Sequence, residues 1–163
     1  MKSPTEILFR DSKGNHLDPR AIANEIDTFM DADDERSYKV IIGTDSMLYA
    51  DRSADFVTAV VVHRVGNGGR YFWRRVSFSD FYTLRDRILK EAMVSLDLAK
   101  LVVERLRDLR GADYDLEIHM DVGENGDTKQ MVQELVGMIR ANNFEVRTKP
   151  NSYAASSVAD RHI

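Results

Sequence analysis

Tyr38 to Thr44 reads YKVIIGT, an apolar and β-branched run that is too short for a good helix and suits a central strand covered on both faces. A chain built around such a strand needs packed layers above and below it. Asp45 follows at once, so an acidic side chain is expected where this strand ends.

The elements around it read clearly. Asp18-Pro19 pairs an N-cap residue with a proline at the first helical position, ahead of Ala21, Ile22, Ile26 and Phe29 at helical spacing. The acidic stretch from Asp31 to Glu35 that follows is expected to be a solvated loop. Phe56 to Arg64 and Arg70 to Phe78 are strands, joined by Gly66-Asn67-Gly68-Gly69, whose residues tolerate a hairpin's positive φ. Ile88, Ala92, Leu96, Ala99, Val103 and Leu106 then mark one face of a long helix running from Leu84 to about Gly111.

Beyond that helix, Leu116, Ile118 and Met120 alternate with Glu117, His119 and Asp121, so a second strand ends on an aspartate. Thr128 to Ala141 is a further helix stopped by Asn142-Asn143, and Phe144 to Thr148 is a fifth strand. After Pro150, Asn151 or Ser152 caps a last helix rich in small residues. No repeat or linker divides the chain. The reading is one domain over residues 1–163, with a helix and acidic loop in 1–36 and the core in 37–163.

Composition narrows the chemistry. The chain has no cysteine, which excludes disulfides, thiolate catalysis and Cys-based zinc sites. Its net charge of -4 argues against a protein that coats nucleic acid non-specifically, yet acidic residues gathered around divalent cations are compatible with a nuclease. No apolar stretch approaches the ~20 residues that span a bilayer, and Met1 to Arg10 lacks the apolar core of a secretory signal, so the expected location is the cytoplasm.

After the first helix the order is βββαβαβα, which implies an α/β fold with a mixed five-stranded sheet, its first three strands antiparallel. That order, with an aspartate at the end of the first strand, resembles the ribonuclease H-like superfamily. The segments IIGTDS, VVHRVGNGGRYFW, EIHMDVGENG and KPNSYAASSVADRH resemble, in order, the small bacterial family of ribonuclease H-like proteins typified by YkuK.

The resemblance implies an active site of four acidic residues: one on the first strand, one on the first long helix, one on the fourth strand and one on the last helix. Asp45 takes the first place and Asp121 the third. Glu91 suits the second, because it lies three residues after Ile88 and next to Ala92, whereas Asp86 and Asp97 fall off the inward stripe. Asp160 suits the fourth, being the only acidic residue after Glu145. Four converging carboxylates repel unless cations lie between them, and oxygen-only ligation suits Mg²⁺ or Mn²⁺. Asp45, Glu91, Asp121 and Asp160 are thus expected as catalytic metal ligands, with nucleic acid as partner.

Several residues carry weaker signals. Ser46 reads as a turn residue. The Asp121 to Asp127 loop superficially resembles a calcium-binding EF-hand, but Gly123 and Val132 stand where oxygen donors are needed. His119 is expected as a satisfied structural histidine. His162 and Arg161, beside Asp160, are candidates for proton transfer and phosphate contact. Arg64, Arg70, Arg74 and Arg75, with Tyr71, Phe72 and Trp73, either grip nucleic acid or pack the hairpin against a helix.

Three functions compete on these residues. The leading one is a two-metal nuclease acting on RNA, RNA/DNA hybrid or structured DNA. The alternative is a non-catalytic nucleic-acid or protein interaction module on the same fold. A phosphatase forming an aspartyl-phosphate needs a carboxylate two residues after the nucleophile, and Met47 occupies that position.

Overall fold

The structure is a computed structural model that describes residues 8–111, 114–123, 126–149 and 151–152. Strands β1 (Phe9–Arg10) and β2 (His16–Leu17) precede helix α1 (Pro19–Asp31); β3 (Tyr38–Leu48), β4 (Ala54–Arg64) and β5 (Gly69–Phe78) lead into α2 (Leu84–Arg110). Strand β6 (Asp115–His119), α3 (Lys129–Ala141) and β7 (Glu145–Arg147) complete the order. The predicted last helix, with Asp160, Arg161 and His162, lies outside the described residues.

Helix boundaries follow local chemistry. The Asp18 carboxylate accepts from the Ala21 N–H at 2.7 Å, capping α1 just before Pro19. Thr83 Oγ1 accepts from the Asp86 N–H at 3.0 Å to start α2. Gly111, at φ +73°, ends that helix with its N–H on the Arg107 carbonyl, a conformation that costs glycine little. One phase detail differs from expectation: Val102, not Val103, is the fully buried position of the α2 stripe.

The sheet order is β2-β1-β5-β4-β3-β6-β7. Strand β3 is central, antiparallel to β4 and parallel to β6, because α2 carries the chain back before β6 begins. Strand β7 also runs parallel to β6. The five expected strands are present, but the sheet has seven. Two-residue strands such as β1 and β2 are too short to show any periodicity. Their turn is closed by Asp11, whose Oδ1 accepts from the N–H groups of Lys13 and Asn15, both at 2.9 Å.

Strand β3 also continues past the point where its apolar run stops. Asp45, Ser46 and Met47 stay in register with Val57, Phe56 and Asp55 of β4, so Asp45 lies within the strand rather than at its end. Ser46 is correspondingly a strand residue and not the expected turn residue. The turn comes later, over residues 49–53, where the Asp51 carboxylate accepts from the Ser53 N–H at 2.9 Å.

Alternation gives the sheet two different faces. Val40, Ile42, Val60, Val62, Phe72 and Ile118 share one core with the inward faces of α1, α2 and α3. The opposite face carries a smaller cluster of Ile41 and Ala59 with Val61, Tyr71 and Trp73. Helix α1 is tied to the end of α2 by Arg110, whose Nη1 lies 2.9 Å from Asp27 Oδ1 and 3.1 Å from Asp31 Oδ1 while the side chain is only 10% exposed. Asp31 thus belongs to α1 and its ion pair rather than to the solvated loop. Arg110→Met is expected to lower stability by about 2 kcal/mol in urea unfolding, because Asp27 loses a charged hydrogen-bond partner in a largely dry setting.

Candidate functional site

The site forms beside α2, where β6 ends next to its parallel neighbour β3 while β3 itself continues. Alternation along β3 turns Thr44 and Ser46 toward α2 and Asp45 toward the opposite face. Thr44 Oγ1 lies 2.8 Å from Ser95 Oγ and 3.0 Å from Thr58 Oγ1, which ties the strand to the helix through buried hydroxyls. One turn earlier on α2, Glu91 accepts a hydrogen bond from Ser46 Oγ at 2.5 Å. Arg87, four residues before Glu91, donates to the same hydroxyl at 3.5 Å. Asp45, half-buried, accepts from the Ser46 N–H at 2.9 Å.

Glu91 is the electrostatically unusual member. Burial pushes its carboxyl up to about 8; the hydrogen bond from Ser46 opposes this, the Asp45 carboxylate adds to it, Arg87 opposes it, and Asp121 adds to it again. Asp121 stands just past β6, on a segment that still follows β7, since the Met120 N–H donates to the Arg147 carbonyl and the Lys149 N–H to that of Val122. Lys149 Nζ lies 3.4 Å from Asp121 Oδ1.

Asp45, Glu91 and Asp121 therefore share one electrostatic environment. Among the described residues, no group of three or more acidic or histidine side chains is arranged closely enough to hold a metal ion. The donor chemistry still fits a hard divalent cation, because these are carboxylate oxygens whose mutual repulsion such an ion relieves. Asp160, the fourth expected ligand, lies outside the described residues.

Ser46, read from the sequence as a turn residue, and Arg87 and Lys149 were not identified there as site residues. Only the first left a signal there: an alternating strand continued through Asp45 puts Ser46 on the helix side. Its pairing depends on how far β4 extends, which the polar residues after Asp45 do not announce.

Beside this site, His119 is buried and its Nε2 lies 2.9 Å from Glu117 Oε2. Lys39 Nζ and Arg147 Nε each lie 3.3 Å from Glu117 Oε1. Burial holds the His119 imidazole below its ordinary value despite Glu117. Burial works against ionisation of Glu117, but the His119 hydrogen bond and the charges of Lys39 and Arg147 outweigh it. The pair is a neutral imidazole on a carboxylate, which suits a structural histidine.

Most of the arginine-rich hairpin is also structural. Arg64 lies 4.1 Å over the Phe29 ring and donates to Tyr38 Oη at 2.9 Å and to the Phe29 carbonyl at 2.8 Å, fastening α1 to the sheet. Arg70 sits 3.8 Å from Glu25, Phe72 is in the core, and Arg75 is ion-paired with Asp55. Arg74 remains, and its Nε is buried with no hydrogen-bond partner.

With strand order, helix placement and the acidic site in view, comparison with known proteins gives the class. The Ribonuclease H-like family model matches residues 21–163, and the chain belongs to that family. It is also 32% identical over 151 residues to the uncharacterized protein YkuK of Bacillus subtilis (strain 168), across 86% of this chain and 87% of that one, so it is of the YkuK type. No solved structure matches it significantly. Among the described residues, no helix is long and apolar enough to cross a membrane.

Proposed function

We propose that this chain is a single-domain, divalent-metal-dependent nuclease that hydrolyses phosphodiester bonds in RNA, RNA/DNA hybrid or structured DNA. The observation that carries this reading is the Glu91 carboxyl, raised to about 8 by burial and by its neighbours Asp45, within β3, and Asp121, just past the parallel strand β6. Asp45, Glu91, Asp121 and Asp160 would hold Mg²⁺ or Mn²⁺. When bound, such ions supply a more acidic water and neutralise charge building on the phosphodiester.

The chain's own residues prepare that site. Ser46 and Arg87 hold Glu91 in place, and Lys149 keeps Asp121 oriented toward the β6 end. Calorimetric titration with Mn²⁺ tests the reading. Wild type is expected to bind, and Asp45→Asn to weaken binding at least about 100-fold, since losing merely an outer partner of a ligand costs about 10- to 100-fold. Cleavage of labelled hybrid, duplex and single-stranded substrates should fall with it. A wild-type chain that binds no Mn²⁺ overturns the two-metal reading.

A second reading, a non-catalytic nucleic-acid or protein interaction module, is favoured by the lack of three closely arranged ligating groups among the described residues. Tight binding of nucleic acid without turnover at saturating Mn²⁺ selects it.

A further inference from the structure

We propose that Arg87 and Lys90 of α2 hold the sugar-phosphate backbone of a nucleic acid strand beside Glu91, across the end of the sheet from β3 toward β5; this rests on the nucleic-acid reading above and names the side chains that grip the strand. Both are half-buried, and neither lies within ion-pair distance of a carboxylate among the described residues.

Arg87 has donors to spare. Its Nη1 reaches Ser46 Oγ at 3.5 Å, the outer limit of a hydrogen bond, while its Nε is buried with no acceptor. Ser46 gives its own proton to Glu91, so bracing that carboxyl occupies only one edge of the guanidinium. A planar fork with unused donors beside a carboxylate site matches the oxygens of a phosphate, which arginine binds bidentately. Lys90 is fixed differently. Its Nζ lies 4.1 Å from the ring centre of Phe78, and that ring packs edge-on against Phe56 at 5.5 Å. The ring holds the ammonium in place without neutralising it.

The sheet favours a polymer over a single small anion. Ser46 lies on β3 and Phe78 on β5, with β4 between them, and the pairing register turns both toward α2. Two strand spacings, about 10 Å, therefore separate the anchor points of the two cations. That is about three steps of a stacked strand at about 3.4 Å each. One chain of phosphates reaches both, whereas an isolated phosphate does not. The crease between α2 and this end of the sheet is open to solvent, since Leu48 on the α2 side of β3 is 38% exposed and Leu84, three residues before Arg87, is 54% exposed. On a chain of net charge -4, unpaired cations beside the acidic residues are also the local basic rim that holds a polyanion there.

The test is fluorescence anisotropy with a labelled 15-nucleotide single-stranded RNA and a matching RNA/DNA hybrid, in EDTA, over a salt series. Wild type is expected to bind. Arg87→Gln and Lys90→Gln should each weaken binding of the single strand roughly 5- to 10-fold and reduce its log-log salt slope by about 0.7, the loss of one phosphate contact. Arg87→Lys, which keeps the charge and loses the fork, should keep the slope and lose affinity. Arg36→Gln, which removes an exposed arginine paired with Asp33, should leave both unchanged. If Arg87→Gln unfolds the chain, Lys90→Gln decides, since its ammonium only covers a ring.

Unchanged binding in a folded Arg87→Gln or Lys90→Gln chain overturns the proposal, even if Mn²⁺ binding and cleavage are found. Weaker binding at an unchanged slope also overturns it, because Arg87 would then only brace Ser46 and Glu91. So does a wild type that binds neither probe, or equal competition by polyglutamate or inorganic phosphate at matched charge, which would make this a site for acidic protein or a free anion. Weaker binding with a shallower slope, and no cleavage by wild type, upholds the site and removes only the nuclease reading.

Discussion

Glu91 is expected to make the metal-free protein lose stability as the pH rises from about 4.5 to about 8, and Glu91→Gln is expected to remove that contribution. The cause is the Glu91 carboxyl, whose ordinary value of 4.5 is raised to about 8 in the fold, first by burial and then, against the Ser46 hydrogen bond, by Asp45 and Asp121. Between those two pH values the folded chain keeps a proton that the unfolded chain has released. At this group the folded state therefore binds more protons, so the Glu91 contribution to stability declines with pH across that window, whereas His119, held below its ordinary value, contributes in the opposite direction below about 6.5. This is the reverse of the common carboxylate, which is stabilised in its ionised form.

A tenfold change in proton affinity between the folded and unfolded chain is worth about 1.4 kcal/mol of stability. Glu91 is only half-buried and solvent screens part of its interaction, so the expected loss is of the order of a few kcal/mol. Glutamine keeps the shape and cannot ionise. At pH 8 the variant should be the more stable protein, and at pH 4.5 the two should be nearly equal. Urea unfolding at pH 4.5, 6, 8 and 9 in EDTA, read as the difference between the two chains, checks this. Equal slopes in both would show that Glu91 keeps an ordinary value in the fold. Adding Mn²⁺ to wild type should flatten its slope, because a bound cation favours the ionised carboxylate.

Ile42→Ala is expected to cost about 3 to 4 kcal/mol. Ile42 has no exposure and is flanked in register by Val60 on β4 and Ile118 on β6, themselves fully buried. Its side chain points into the core shared by all three helices, so neighbours on both strands and on α2 would have to move together to fill the space left. Rigid surroundings of that kind place a truncation in the middle of the range for large-to-small changes, transfer and cavity contributions combined. The expected signature is a lower urea midpoint with an unchanged slope, and a melting temperature lower by about 10 °C. Val65→Ala, at a side chain 49% exposed just beyond β4, should stay within about 0.5 kcal/mol and serves as the comparison. A loss below about 1 kcal/mol for Ile42→Ala would mean that the central strand tolerates repacking and does not anchor Asp45 rigidly.

The family match and the seven-stranded sheet show which features were readable in advance. Helix α2 was, because apolar residues from Ile88 to Leu106 repeat one pattern before a glycine stop, whereas its Thr83 cap came only with the structure. So was β3, since a run such as VII can only be buried. Asp45, Glu91 and Asp121 were legible as candidates by their positions relative to those elements. Strands β1 and β2 were not, as two residues hold no period.

By itself, then, the sequence determined the elements whose signal is local: capped helices, a buried central run, a glycine-rich hairpin and the acidic residues placed along them. Pairing decided the rest. Ser46 became the partner of Glu91 because β4 extends β3 to Leu48, and that extension fixes which side of the strand each residue takes. The arginines divided into structural and uncompensated ones according to which carboxylates and carbonyls lay within reach of each. Electrostatic coupling among Asp45, Glu91 and Asp121 joins residues far apart in the chain, and proximity across a sheet arises only when the strands pair.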